Sequence, residues 1–169
     1  PVVFWQQENL LQQYLPNLDR YIVLSDYDKR DYMEKLGIDC EVKINPRSFV
    51  SEKKCDVKSK RFLMATRFVY AKGLDLMMES FEEFCKEDSE WELDIIGDGD
   101  LFDQIRADAK KRHLEKRVHF VGYTNEPEKY YLNSSVFLLP SRWEGWPMVI
   151  MEAFEFGLPV IAYHMGAMD

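Results

Sequence analysis

The chain has 169 residues, of which 46% are hydrophobic, 14% aromatic and 31% charged, a balance that excludes disorder and leaves room for one ordinary domain, or one domain and part of a neighbour. With 30 acidic against 22 basic residues, the formal net charge of −8 excludes a general attraction to nucleic acid or to an anionic membrane and leaves any anionic ligand to a local site. No apolar run approaches the roughly 20 residues that cross a bilayer, and Cys40, Cys55 and Cys85 lack the even number and CxxC spacing of a disulfide framework or a zinc site, which fits a reducing cytoplasm.

The first residue is Pro1, and the last residues follow closely on an apolar segment, so both ends read as cut from a longer polypeptide. Residues 19–25 followed by 28–36 form one strand-then-helix unit, and residues 41–45 suit a further short strand. Residues 1–50 are therefore expected to be the tail of another domain. Residues 51–60 are polar and interrupt the alternation, as a linker does.

From residue 61 onward, β-branched and aliphatic segments at 61–66, 91–97, 117–122, 135–141 and 158–163 predict strands. Between the first two, Leu74, Met77, Met78, Phe81, Phe84 and Cys85 fall at the three-and-four spacing of an amphipathic helix. Leu101, Ile105 and Ala109 repeat that spacing more weakly. The runs at 93–96 and 137–139 are almost continuously apolar, as strands of a parallel sheet covered on both faces must be. The fold class expected for 61–169 is α/β, a doubly wound parallel sheet, whose ligands bind beyond the carboxyl ends of the strands.

Two loops at that edge carry chemistry. In the first, Thr66-Arg67-Phe68-Val69-Tyr70-Ala71-Lys72-Gly73, the cations Arg67 and Lys72 bracket a short turn and are able to neutralise a diphosphate; taken without further context, they read first as a solvated surface pair. In the second, Pro140-Ser141-Arg142-Trp143-Glu144-Gly145-Trp146-Pro147, proline is expected at the first helical position, so that the amides of Trp146, Met148 and Val149 and the helix dipole favour a phosphate. Glu144 in the loop and Glu152 in the helix can address two parts of one elongated ligand, because a carboxylate accepts from neighbouring hydroxyls such as a sugar or ribose diol. Alternatively they are a helix-start glutamate and an exposed helical one.

Other patterns read as structural. Gly97-Asp98-Gly99-Asp100 lacks the third glycine of a dinucleotide fingerprint, with Phe102 in its place, and Asp100 is expected to cap the next helix. Asp26-Tyr27-Asp28 and Asp98-Gly99-Asp100 are read as turn caps rather than metal ligands. His113, His119 and His164 have no nearby Ser or Cys that would mark a nucleophile.

In order and spacing, several segments resemble the retaining glycosyltransferases of the GT-B fold, family 4. They are the Arg67-x4-Lys72-Gly73 loop, Ile96-Gly97-Asp98-Gly99, Val118-His119-Phe120-Val121-Gly122, Phe137-Leu138-Leu139-Pro140-Ser141 with Glu144-Gly145-Trp146-Pro147, and Glu152-Ala153 through Gly157-Leu158-Pro159-Val160-Ile161-Ala162. The resemblance implies a Rossmann-like C-terminal domain that binds a nucleotide-sugar donor, UDP-sugar or GDP-sugar, with no metal or other cofactor. By position it implies that Arg67 and Lys72 contact the diphosphate, Glu144 lies by the donor sugar as the catalytic residue, and Glu152 accepts from the ribose. The amides around Trp146, Met148 and Val149 would complete the phosphate cradle, Gly145 belongs to the same donor-binding set, and Tyr123 would lie near the base.

It further implies transfer of the sugar to an acceptor hydroxyl, on a glycan or lipid-linked sugar held by an N-terminal domain, in polysaccharide or glycolipid synthesis. The setting would be cytoplasmic, compatible with a peripheral place at the inner membrane face, and the chain alone is expected to be inactive. A sugar-nucleotide-binding domain without turnover and a GT-B-fold epimerase are the competing readings. Two departures stand out: Thr66 replaces the glycine usual before the arginine, and Gly166-Ala167-Met168-Asp169 lacks the usual Gly-Gly-Pro-x-Glu continuation.

Overall fold

The computed structural model describes residues 18–46, 50–88 and 90–164, so residues 1–17 and the Gly166-to-Asp169 end lie outside the described residues. The chain divides into two units. The first takes in residues up to Pro46, Trp143–Trp146 and His164 onward; the second takes in Arg47–Arg142 and Pro147–Tyr163.

In the first unit, β1 (Ile22–Val23) and β2 (Glu41–Val42) pair in parallel, joined by helix α1 (Asp26–Leu36). The helix starts where it does because Ser25 is an N-cap: its Oγ accepts from the Asp28 amide at 3.0 Å, satisfying one donor that the first turn leaves over. Asp26 and Asp28 add negative charge at the positive end of the dipole. Gly37, at φ +67°, ends the helix in the left-handed conformation.

The second unit is a five-stranded, wholly parallel sheet in the order β5-β4-β3-β6-β7. Its strands are β3 (Arg61–Ala65), β4 (Glu92–Ile96), β5 (Val118–Gly122), β6 (Val136–Leu139) and β7 (Val160–Ala162). Between them run α2 (Leu74–Glu87), α3 (Phe102–Lys111), α4 (Glu128–Leu132) and α5 (Met148–Glu155). The expected doubly wound α/β architecture is therefore what forms.

Helix α2 forms because Leu74, Met77, Met78 and Phe81 make one buried stripe that meets Met64, Leu93, Ile95 and Val118 from the sheet and Ile105 and Ala109 from α3. Each large apolar side chain so buried contributes about 2 kcal/mol. Phe62, Phe84 and Trp91 close the same cluster, with the Phe62 and Trp91 rings stacked 4.5 Å apart. A second apolar cluster carries α4 and α5: the Tyr131 ring stacks on Phe137 of β6 at 5.8 Å and on Phe156 at 5.2 Å.

At the amino ends of the strands, the Arg61 guanidinium donates to both carboxylate oxygens of Asp94, at 2.9 and 3.0 Å, and to Glu92, which also meets His119 Nε2 at 2.7 Å. These charges tie β3, β4 and β5 together at the edge opposite the ligand edge. Residues 51–60 are irregular and lie along the second unit. The Cys55 amide donates to the Phe156 carbonyl at 2.8 Å, the Asp56 amide to the Leu132 carbonyl at 2.9 Å, and the Ser51 amide to the Glu155 carboxylate at 2.9 Å.

Candidate functional site

The strand order reverses between β3 and β6. From β3 the chain winds out through β4 and β5, then returns to the other side of β3 with β6 and continues to β7. Loops leaving adjacent strands on the two sides of such a reversal diverge, and they open a crevice at the strands' carboxyl ends. The loops that follow β3 and β6 are the two singled out above.

The loop after β3 is held by backbone on both sides. Toward β4, the Thr66 amide donates to the Ile96 carbonyl, the Phe68 amide to the Asp98 carbonyl and the Leu101 amide to the Phe68 carbonyl, each at 2.9 Å. Main chain comes so close here that a Cβ on Gly97 would lie 1.8 Å from the Thr66 carbonyl oxygen. Phe68 is wholly buried, while its neighbour Arg67 is exposed. A single 3₁₀ turn, Tyr70–Lys72, then carries the half-buried Lys72 and stops at Gly73, φ +64°.

Gly73 also borders the other loop, since a Cβ there would lie 2.0 Å from the Pro140 carbonyl oxygen. Arg142 completes the join. Its amide donates to the Ala71 carbonyl at 2.8 Å, and its guanidinium donates to the Tyr70 carbonyl at 2.9 Å and to both Asp75 carboxylate oxygens at 2.8 and 2.6 Å. The same group lies 4.0 Å above the Tyr70 ring. The bidentate bond holds the Asp75 carboxyl below its ordinary range. Nothing in the sequence pattern marks Arg142 and Asp75 as partners, because they are 67 positions apart.

Helix α5 begins at Met148, with Pro147 as its N-cap at φ −76°, ψ 87°. Proline is thus one position earlier than expected: its extended ψ keeps it outside the helix, and its carbonyl accepts from the Ile150 amide at 3.0 Å. The amides of Met148 and Val149, in the first turn, lie outside the helix's own ladder; Trp146 precedes the cap. Glu152, half-buried in the same helix, receives the Tyr131 hydroxyl on Oε2 at 2.8 Å.

Arg67, Lys72, Met148, Val149, Glu152 and Tyr123 all belong to the second unit, whereas Glu144, Gly145 and Trp146 belong to the first. Glu144 and Trp146 are half-buried and Gly145 is exposed. Among the described residues, Trp146 Nε1 is the buried side-chain polar atom left without a hydrogen-bond partner. Tyr123 follows β5, the outermost strand, and is 77% exposed. Two strand spacings, about 10 Å, separate β5 from β3.

Asp100 does not cap α3 as expected. The position before that helix is Leu101, with no side-chain bond, and Asp98 Oδ1 accepts from the Gly99 amide at 2.8 Å. Phe102 packs on Phe68 and Phe120, which is why an aromatic residue stands where a dinucleotide fingerprint has glycine. The thiols of Cys40, Cys55 and Cys85 are free and are raised by burial, so none is an activated nucleophile. Among the described residues no three His, Cys, Asp or Glu side chains converge as metal ligands, and no helix is long and apolar enough to cross a membrane.

A family model described as "Glycosyl transferases group 1" matches residues 48–169. An uncharacterized glycosyltransferase of Haemophilus influenzae is 30% identical over 86% of this chain and 42% of its own length. The amylovoran biosynthesis glycosyltransferase AmsD of Erwinia amylovora is 34% identical over 63% of this chain and 30% of its own. The lipopolysaccharide 1,6-galactosyltransferase of Salmonella typhimurium is 31% identical over 60% and 29%. The chain thus spans less than half the length of these relatives.

Among solved structures, a mutant of S. aureus TarM in complex with fondaparinux, alpha-GlcNAc-glycerol and UDP superposes with a TM-score of 0.83 at 22% identity, over 95% of this chain and 33% of that one. The lipopolysaccharide outer core galactosyltransferase WaaB, in its apo form, superposes at 0.66 with 27% identity, over 85% and 43%.

Proposed function

The chain belongs to the group 1 glycosyl transferases, and from that premise we propose that it is the donor-binding half of an enzyme that moves a sugar from a nucleoside-diphosphate-sugar to an acceptor hydroxyl in polysaccharide or glycolipid synthesis. In this reaction the acceptor oxygen bonds to the anomeric carbon and loses its proton, and the bond from that carbon to the diphosphate oxygen breaks. The nucleoside diphosphate departs with the electron pair. Retention of configuration is part of the proposal.

The observation that carries this reading is the reversal between β3 and β6, which sets the loop of Arg67 and Lys72 beside the chain leading to α5. In the proposed site Arg67 and Lys72 balance the diphosphate, both when it binds and as its charge grows on bond cleavage. The Met148 and Val149 amides face the same anion with the helix dipole behind them. Glu144 serves the donor sugar as the catalytic residue, with Gly145 and Trp146 beside it, Glu152 takes the ribose hydroxyls, and Tyr123 lies toward the base. The acceptor falls to an N-terminal domain, so the 169-residue chain alone binds donor and transfers nothing.

UDP is the first probe, since the TarM structure above was solved with it; GDP is the second. Calorimetric titration of the chain is expected to show binding that weakens at least about tenfold in Lys72→Ala and in Arg67→Ala and weakens further as salt rises. EDTA is expected to leave binding unchanged, because protein cations and amides supply the compensation. Absence of binding by both nucleotides at millimolar concentration overturns the reading. Retention is tested by the anomeric coupling in the NMR spectrum of product made by the enzyme complete with its acceptor domain.

A further inference from the structure

Glu152 does not stand alone. The Tyr131 hydroxyl donates to its Oε2 at 2.8 Å from a side chain with no exposed surface, although Tyr131 sits in a helix of five residues that carries no other expected function. Taking as its basis the reading that Glu152 receives the donor's ribose, we propose that Tyr131 is a positioning residue, which aims the Glu152 carboxylate at the ribose diol and makes the site discriminate ribose from deoxyribose.

The chemistry is one of lone pairs. An ionised carboxylate is acceptor-only, with about four acceptor sites on its two oxygens. Tyr131 fills one of them and fixes the rotation of the group. Burial and the neighbouring carboxylate push the Tyr131 hydroxyl above its ordinary range, so it stays a donor at every working pH.

The tyrosine is itself immobilised. Its ring lies nearly parallel to Phe137 of β6 and Phe156 after α5, at interplanar angles of 8° and 20°. The carbonyls of Leu132 and Phe156, which close α4 and α5, are gripped by the successive amides of Asp56 and Cys55. The two helices are therefore joined by backbone as well as by the Tyr131 to Glu152 bond. Removing the hydroxyl while keeping the ring should leave the stack and the fold standing, which makes Tyr131→Phe a usable probe.

The test measures the binding of UDP or GDP, whichever the chain holds more tightly, against its 2′-deoxy counterpart. The native chain is expected to prefer the ribonucleotide by about tenfold or more, and Glu152→Ala to abolish that preference. Tyr131→Phe is expected to reduce the preference at least about threefold, whereas a merely structural hydroxyl would lower the melting temperature and leave the ratio alone. As a measurement independent of that variant's folding, 3-fluorotyrosine placed at position 131 is expected to shift its fluorine resonance when the ribonucleotide saturates the chain, and less with the deoxy form.

If Glu152→Ala abolishes the preference while Tyr131→Phe keeps it, or if the fluorine resonance does not respond, the positioning role falls and the ribose role of Glu152 stands. If Glu152→Ala leaves the preference intact, or if the native chain binds neither nucleotide, both fall together.

Discussion

Gly97 has φ +126°, and a Cβ there would meet the Thr66 carbonyl oxygen at 1.8 Å. Gly122 has φ +80° with nothing within 4 Å of the same virtual atom. The two separate collision from backbone strain. Gly97→Ala is expected to cost about 3 kcal/mol or more, because β4's loop must retreat from the Arg67 loop, while Gly122→Ala is expected to cost about 1 kcal/mol for the left-handed conformation alone. Urea unfolding of both variants checks this, and a smaller loss at position 97 than at 122 would sink the close-approach argument. Thr66 stands where the family resemblance leads one to expect glycine; Gly97 faces its carbonyl, and Gly99 faces the backbone of Phe68.

Between elements, the Arg142 to Asp75 pair joins the chain after β6 to the first turn of α2 across the crevice's inner wall. Asp75 is 51% exposed, so solvent screening limits its contribution to stability to at most about 1 kcal/mol. The sign follows from linkage. A carboxyl depressed below its ordinary 3.8 adds stability that is fully present above that value and is lost as pH falls through the depressed one. Asp75→Asn is therefore expected to be less stable than the native chain at neutral pH and equal to it in strong acid, as compared by urea midpoints across that range. Arg142→Ala should lose the same pH-dependent part but keep a deficit in acid, because its bond to the Tyr70 carbonyl and its contact with the Tyr70 ring go too, and it should also weaken nucleotide binding, since the Lys72 turn loses its tether. A pH-independent difference would sink the ionic account of this join.

Helix α2 behaves differently, because its contribution is apolar. Phe81, 2% exposed, packs edge-on to Phe62 and stacks on Phe84. Phe81→Ala should cost about 3–5 kcal/mol by thermal or urea denaturation, with little dependence on pH.

At the scale of the molecule, the proposed binding of a diphosphate to the second unit links ligand and stability. A nucleotide present at about 100 times its dissociation constant is expected to raise the unfolding free energy of that unit by about 2.7 kcal/mol. Because the chain forms two units, the gain should be read with a probe inside the second, such as the fluorescence of Trp91, which stacks on Phe62. A rise confined to probes of the first unit would place the nucleotide elsewhere.

The strands of the second unit were legible as short β-branched and aliphatic segments, and α2 because its stripe recurs at helical spacing. Helix α4 was not, since five residues, Glu128–Leu132, are too few to express a period. In the candidate site the residue types were legible and several of their partners were not: Glu152 with Tyr131 and Arg142 with Asp75 are 21 and 67 positions apart.

The amino-acid sequence by itself determined that this is an alternating α/β chain with cations after one strand and a helix start after another, because periodicity, caps and turn residues are local properties written in neighbouring positions. Only the tertiary structure decided that β6 returns to lie against β3, that Gly73 must admit the Pro140 carbonyl, and that a buried tyrosine holds Glu152. Those outcomes depend on which distant surfaces pack together, a choice made by the burial of whole faces rather than by any local signal.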